Sequence, residues 1–165
     1  MDALEEQLTR AFDNERDDIY RYLLTLGLVP AHAQDAAQEV FLRLYLALRK
    51  GEAIQNVRAW IFRVAHNLAL DWRAKERMQP VDPDVLDWIR DMRPGAEADL
   101  LEKEKMERIA AAWKTLSPQQ RECLHLRAEG LKYREISDAL GIGISTVREF
   151  LTRAITKLQR AVTYE

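Results

Sequence analysis

Between residues 47 and 80 the sequence gathers Asn56, Trp60, Phe62, Asn67 and Trp72 among seven lysines and arginines. Rings, amides and guanidinium groups at this density suit bases that have left the stack. Base–aromatic stacking is worth ~1–3 kcal/mol per base, and a basic groove holds the backbone. Trp60 and Phe62 are two residues apart and cannot share one helical face, so at least one is expected to face solvent or an interface. A second constellation lies in EISDALGIGISTVREFLTRA, residues 135–154. It reads as a helix, a tight turn at Gly141 and a second helix from about Ser145, the unit that places a helix in a DNA groove. Thr146, Arg148, Glu149, Thr152 and Arg153 lie off the apolar stripe of its second helix. Glu149 could accept from a cytosine amino group, although near DNA it also opposes binding. Phe150 borders the stripe of Val147, Leu151, Ala154 and Leu158, and packing is its expected role.

Catalytic and metal chemistry find no comparable set. His32, His66 and His125 are scattered, with no partner at metal or triad spacing. Cys123 is the single cysteine, which excludes an internal disulfide and a Cys-rich metal site. It reads as a small buried residue. Gly141-Ile-Gly143 is a turn rather than a phosphate loop. No enzyme activity, metal or cofactor is expected.

These residues need helices to position them. The 165 residues are 47% hydrophobic and 32% charged, and prolines fall at natural breaks. Helical periodicity runs to stops at Gly27 and at Gly51. It resumes after Asn56, a candidate N-cap, with an apolar stripe of Trp60, Ile61, Val64, Leu68 and Trp72. Ser117 and Pro118 open a further helix, for which Leu124, Leu126 and Leu131 supply a core. Three prolines and many acids between residues 79 and 104 read as a linker, with apolar Val85–Met92 as a short helix within it. The expected fold is all-α: a helical domain over 1–80, an acidic linker over 81–104 and a helix-turn-helix domain over 105–165. The formal charge is −2 overall, yet segments 1–46, 47–80, 81–107 and 108–165 carry −5, +4, −5 and +4. DNA responds to such local fields rather than to the average. No apolar run is long enough to span a membrane, and no signal-peptide core is present, so a cytoplasmic protein without membrane insertion is expected.

DAAQEVFLRLYLAL followed by NVRAWIFRVAHNLALDWRAKER resembles region 2 of bacterial sigma factors. LSPQQRECLHLRAEGLKYREISDALGIGISTVREFLTRAITKLQ resembles their region 4. Two such domains alone, over residues 5–80 and 100–162, are similar to the extracytoplasmic-function (ECF) class. The resemblance implies promoter-specific transcription initiation with core RNA polymerase (its beta and beta′ subunits), promoter DNA and an anti-sigma factor as partners. Asp35, Gln38, Glu39 and Leu42 match the polymerase-docking helix, with Val40 and Leu44 as core behind it. Asn56, Arg58, Trp60, Arg63, Asn67, Asp71 and Arg73 match the part that opens and reads the minus-ten element. Arg134 and Ser145–Arg153 match the reader of the minus-thirty-five element. The chain departs from the family pattern at Gly143, Glu149, Phe150 and Ile155, so fewer phosphate contacts are expected in the upstream reader, with the N-cap weakened or shifted to Ser145. The alternatives are a helix-turn-helix regulator that forms no holoenzyme, or an adaptor that has lost DNA binding.

Overall fold

The computed structural model describes residues 2–76 and 100–163. Within them the chain forms α1 (Ala3–Thr25), α2 (Pro30–Arg49), α3 (Val57–Glu76), α4 (Leu100–Lys114), α5 (Pro118–Ala128), α6 (Tyr133–Leu140) and α7 (Ile144–Val162). The described residues contain no strand. Val85–Met92 and most of the expected linker lie outside the described residues. Helix α4 already starts at Leu100, inside the stretch read as linker.

Local sequence accounts for where the helices begin and stop. Asp2 accepts from the Glu5 N–H at 2.7 Å, and the Glu5 carboxylate accepts from the Asp2 N–H, a capping box that satisfies two orphan donors. Asn56 Oδ1 accepts from the Ala59 N–H at 3.0 Å and starts α3. Ser117 and Gln120 form the second capping box, with Pro118 at the first turn of α5. Gly141 closes α6 in the left-handed region at φ 68°, where a Cβ would be strained. That residue sets the sharp turn between α6 and α7.

In the first module α1, α2 and α3 pack on one another. Ile19, Tyr22, Leu23, Val40, Leu44, Ile61 and Phe62 are fully buried at its centre. Tyr22 and Phe62 meet edge to face at 5.4 Å. In the second module α7 packs on α4, α5 and α6 through Val147, Leu151 and Ala154, and Leu158 is half-buried.

The expected stripe on α3 needs correction. Ile61 and Leu68 are buried, but Trp60, Val64 and Trp72 are only half-buried. Phe62, Ala65, His66 and Ala69 are buried as well. Helix α3 packs against α1 and α2 and also against α6 of the second module. It is therefore buried over more of its circumference than one amphipathic stripe provides. One buried cluster runs through both modules, and a smaller one of Ala110, Trp113, Leu116 and Ala154 lies within the second. Cys123, Leu126, Leu131, Ile136 and Ala139 belong to the same buried cluster as Tyr22, Phe62 and Ala69.

Candidate nucleic-acid interface

The exposed side of the helix-turn-helix carries Arg134 on α6 and Ser145, Arg148, Glu149, Thr152 and Arg153 on α7, with Thr146 half-buried. Phe150 is half-buried and packs against the core. Glu149 is exposed and pairs with Arg153 at 2.5 Å, which offsets one of the two main cations of α7. The helix begins at Ile144 rather than Ser145. Its N-cap is Gly143, which offers no side-chain acceptor, and Ser145 sits one residue inside the helix. The cap therefore did not shift to Ser145.

The candidate contacts on α3 divide into two groups. Arg63, Asn67 and Asp71 recur every four residues and share an exposed face, with Trp60 half-buried beside them. Phe62 is core, and the Arg58 guanidinium lies 5.0 Å above its ring. Of Trp60 and Phe62, Trp60 is therefore the ring left near the surface.

The second group, Asn56, Arg58 and Arg73, is engaged by the other module. Arg58 donates through Nε to the Glu129 carbonyl at 2.8 Å and through Nη2 to the Glu129 carboxylate. Its Nη1 reaches Glu15 and, at 3.2 Å, Asp18. Burial alone would lower the Arg58 pKa, but Glu15, Asp18 and Glu129 outweigh it and hold the charge in place. Asn56 donates through Nδ2 to Glu135. Arg73 Nη1 lies 3.8 Å from Glu122 Oε1. Glu122, Glu129 and Glu135 were not singled out from the sequence, because an isolated acid within a basic segment carries no periodic mark.

A buried polar cluster sits behind these pairs. The Tyr22 hydroxyl and His66 Nδ1 are hydrogen-bonded at 2.9 Å, and the His125 ring lies 5.2 Å from the Tyr22 ring. Burial, aided by Arg73, lowers the His66 pKa to about 4. Burial, aided by Arg21, lowers His125 to about 4. Burial raises Glu122 to about 7 against the pull of Arg73, and raises Cys123 to about 12. Both imidazoles are thus neutral near pH 7, and the thiol is inert toward chemistry that needs a thiolate. His32 stacks on Trp72 at 4.4 Å.

In the first module, α2 exposes Asp35, Gln38 and Leu42, while Glu39 is half-buried and pairs with Arg43 at 3.1 Å. Val40 and Leu44 are fully buried behind them. Leu46 is exposed too, one turn beyond Leu42. That pairing was visible as i, i+4 spacing but was not picked out. The neighbouring groove between α1 and α2 is lined by Phe12, Tyr20 and Phe41, with Phe12 and Phe41 edge to face at 5.1 Å. Among the described residues no helix is long and apolar enough to cross a membrane.

Residues 11–78 match the family model for sigma-70 region 2, and residues 106–158 match that for sigma-70 region 4. The chain belongs to the sigma-70 family, in its ECF class. The ECF RNA polymerase sigma factor BldN of Streptomyces coelicolor is 28% identical over 158 residues, which cover 92% of this chain and 58% of BldN. The ECF sigma factor SigX of Bacillus subtilis is 24% identical, covering 95% of this chain and 84% of SigX. The chain thus spans little more than half of one such relative and most of the other. Among solved structures, the sigma factor RpoE of Bartonella quintana in complex with the anti-sigma factor NepR aligns with a TM-score of 0.65 at 18% identity. That alignment covers 95% of this chain and 97% of RpoE. CnrH in complex with the cytosolic domain of CnrY aligns at 0.62 and 18%, covering 94% of this chain and 86% of CnrH. Both share the fold of this chain. Family membership makes it a transcription initiation factor rather than an enzyme.

Proposed function

We propose that this ECF-class chain binds core RNA polymerase and directs initiation at promoters that it selects through a minus-ten and a minus-thirty-five element. The carrying observation is the pairing, in one chain, of an exposed polar-apolar face on α2 with an exposed basic face on α7. Asp35, Gln38, Glu39 and Leu42 contact the polymerase, on its beta and beta′ subunits. Asn56, Arg58, Trp60, Arg63, Asn67, Asp71 and Arg73 capture the melted minus-ten region. Trp60 supplies a ring for stacking and the arginines neutralise phosphates.

Arg134, Ser145, Thr146, Arg148, Glu149, Thr152 and Arg153 read the upstream duplex. The Glu149–Arg153 pair leaves Arg148 as the stronger phosphate contact on α7. In the cytoplasm, an anti-sigma factor restrains the chain until its signal arrives. The relatives in complex with NepR and CnrY support that reading. The test is reconstitution with core polymerase and transcription from a randomised promoter library. Selective initiation at a two-part element is the expected result. DNA binding without polymerase association would instead indicate an independent regulator, and association with neither would indicate an adaptor.

A further inference from the structure

Asp2 caps α1, Asn56 caps α3 and Ser117 caps α5, each with its own side chain. Helix α7 has no such cap, because its N-cap is Gly143. Nor does a buried side chain hold its start. Ile144 is 38% exposed, Ser145 is exposed and Thr146 is half-buried, so the first fully buried side chain of α7 is Val147. The turn before the helix supplies the missing anchor. Ser137 on α6 grips Ile142, the middle residue of that turn, through both of its backbone groups. The Ser137 carbonyl accepts from the Ile142 N–H at 3.3 Å and from the Gly141 N–H at 2.9 Å. The Ser137 hydroxyl donates to the Ile142 carbonyl at 2.5 Å. The Ile142 side chain packs against the core, so the gripped residue is itself fixed.

We infer that the Ser137 hydroxyl is a positioning group for duplex reading: through Ile142 it fixes the first turn of α7, and so sets where Ser145 and Thr146 meet the bases. This rests on the role proposed for α7 above. A helix end frays unless its backbone is tied down. Here Gly143 stands between the gripped Ile142 and the buried Val147, and a residue without a Cβ is the freest to turn. Holding both the N–H and the carbonyl of Ile142 fixes its φ and ψ. The planar peptide then passes that orientation on to Gly143. Val147, Leu151 and Ala154 seat the axis of α7. The Ser137 clasp sets the turn ahead of them, and the N-terminal residues of such a helix are the ones that contact base edges. Alanine at position 137 would keep both bonds of the carbonyl and lose only the one made by the hydroxyl.

The test uses the full chain in three variants. Ser137→Ala removes the hydroxyl, Ser137→Thr keeps it, and Ser137→Ala/Gly143→Ser gives α7 a cap of its own. Amide hydrogen exchange read by NMR follows Ile142 and Val147, whose N–H groups bond to Ser137 and Gly143. Fluorescence anisotropy at one salt concentration compares a duplex selected from a random pool by the wild-type chain with a scrambled one. In Ser137→Ala both amides should exchange about tenfold faster. Preference for the selected duplex should fall about tenfold, the worth of one base contact. Affinity for the scrambled duplex should stay within about twofold of wild type, since phosphate contacts carry no sequence information. The other two variants should recover both protection and preference. Unchanged exchange in Ser137→Ala would overturn the inference. So would faster exchange with preference intact, or an equal loss on both duplexes, as a merely structural residue would give. A loss that neither Ser137→Thr nor Gly143→Ser repairs would overturn it too. A wild-type chain that prefers no duplex, with the exchange difference intact, would count against the proposed upstream reading and leave the anchoring of α7 standing.

Discussion

Acid should loosen this protein before its ordinary carboxylates titrate, and the size of the effect follows from three buried groups. His66 and His125 are 3% and 4% exposed, and their pKa values fall from 6.5 to about 4. The unfolded chain therefore takes up two protons that the native chain refuses, and stability is lost as pH falls from 6.5 toward 4. Glu122, 9% exposed, runs the other way. Its pKa rises from 4.5 to about 7, so the native chain takes a proton first and gains stability as pH falls through 7 toward 4.5. Two histidines outweigh one glutamic acid. At ~1.4 kcal/mol per proton per pH unit, the balance between pH 7 and pH 5 is a loss on the order of 1–2 kcal/mol. Glu129, also raised by burial and by Asp18, works with Glu122 and makes that figure a ceiling. The facing charges are Arg73 near His66 and Glu122, and Arg21, Asp18 and Glu129 near His125. Urea unfolding followed by tryptophan fluorescence at pH 7 and pH 5 measures the difference. In His66→Gln/His125→Gln the trend should reverse, with greater stability at pH 5, because the two glutamic acids are then uncompensated. A wild type equally or more stable at pH 5 would refute this account.

Other outcomes are expected at single sites. Asp35→Arg with Glu39→Arg should abolish binding to core polymerase, measured by co-elution, while the melting temperature stays near wild type because neither residue is buried in the core. Gly143→Ser supplies the missing cap on α7 at a φ of −70° that any residue adopts, and the added Cβ meets only Thr146 Oγ1 at 3.9 Å and Ser145 Oγ at 4.0 Å, ordinary van der Waals contact. A gain of about 0.5 kcal/mol in thermal unfolding is expected. Phe150→Ala removes a half-buried ring and should cost roughly 2 kcal/mol, about half of a fully buried phenylalanine. Loss of upstream-element binding at wild-type stability would place the ring on the DNA surface instead. Arg148→Ala should reduce the salt dependence of duplex binding by about one unit of slope if it neutralises one phosphate. A thiol reagent should modify Cys123 slowly in the native chain at pH 8 and rapidly in urea, since the side chain is fully buried and its pKa is about 12.

Much of the fold was legible because its signals are local. Ser117, Asn56 and Gly141 mark helix ends by side-chain chemistry or by backbone freedom, and each sits where expected. The stripe of α7 was also legible, since Val147, Leu151 and Ala154 repeat with the helical period. The stripe of α3 was misplaced for a physical reason. Beside Phe62, its additional buried positions are filled by Ala65, Ala69 and His66, which are small or polar and do not stand out beside Trp60 and Trp72. The candidate site was legible as a set of residue types, but its state was not. Asn56 and Glu135 are 79 positions apart, and Arg58 and Glu129 are 71 apart. Pairs at such separations follow from how the modules dock, which periodicity does not encode.

The guanidinium of Arg58 lies in the grip of Glu15, Asp18 and Glu129. Through these contacts Arg58 ties α1, α3 and the end of α5 together, so it answers for the docking of the two modules as well as for the strand contact proposed for it. Glu129 has only the first of those duties. A lineage can therefore retune the docking at that carboxylate and leave the proposed strand contact in place.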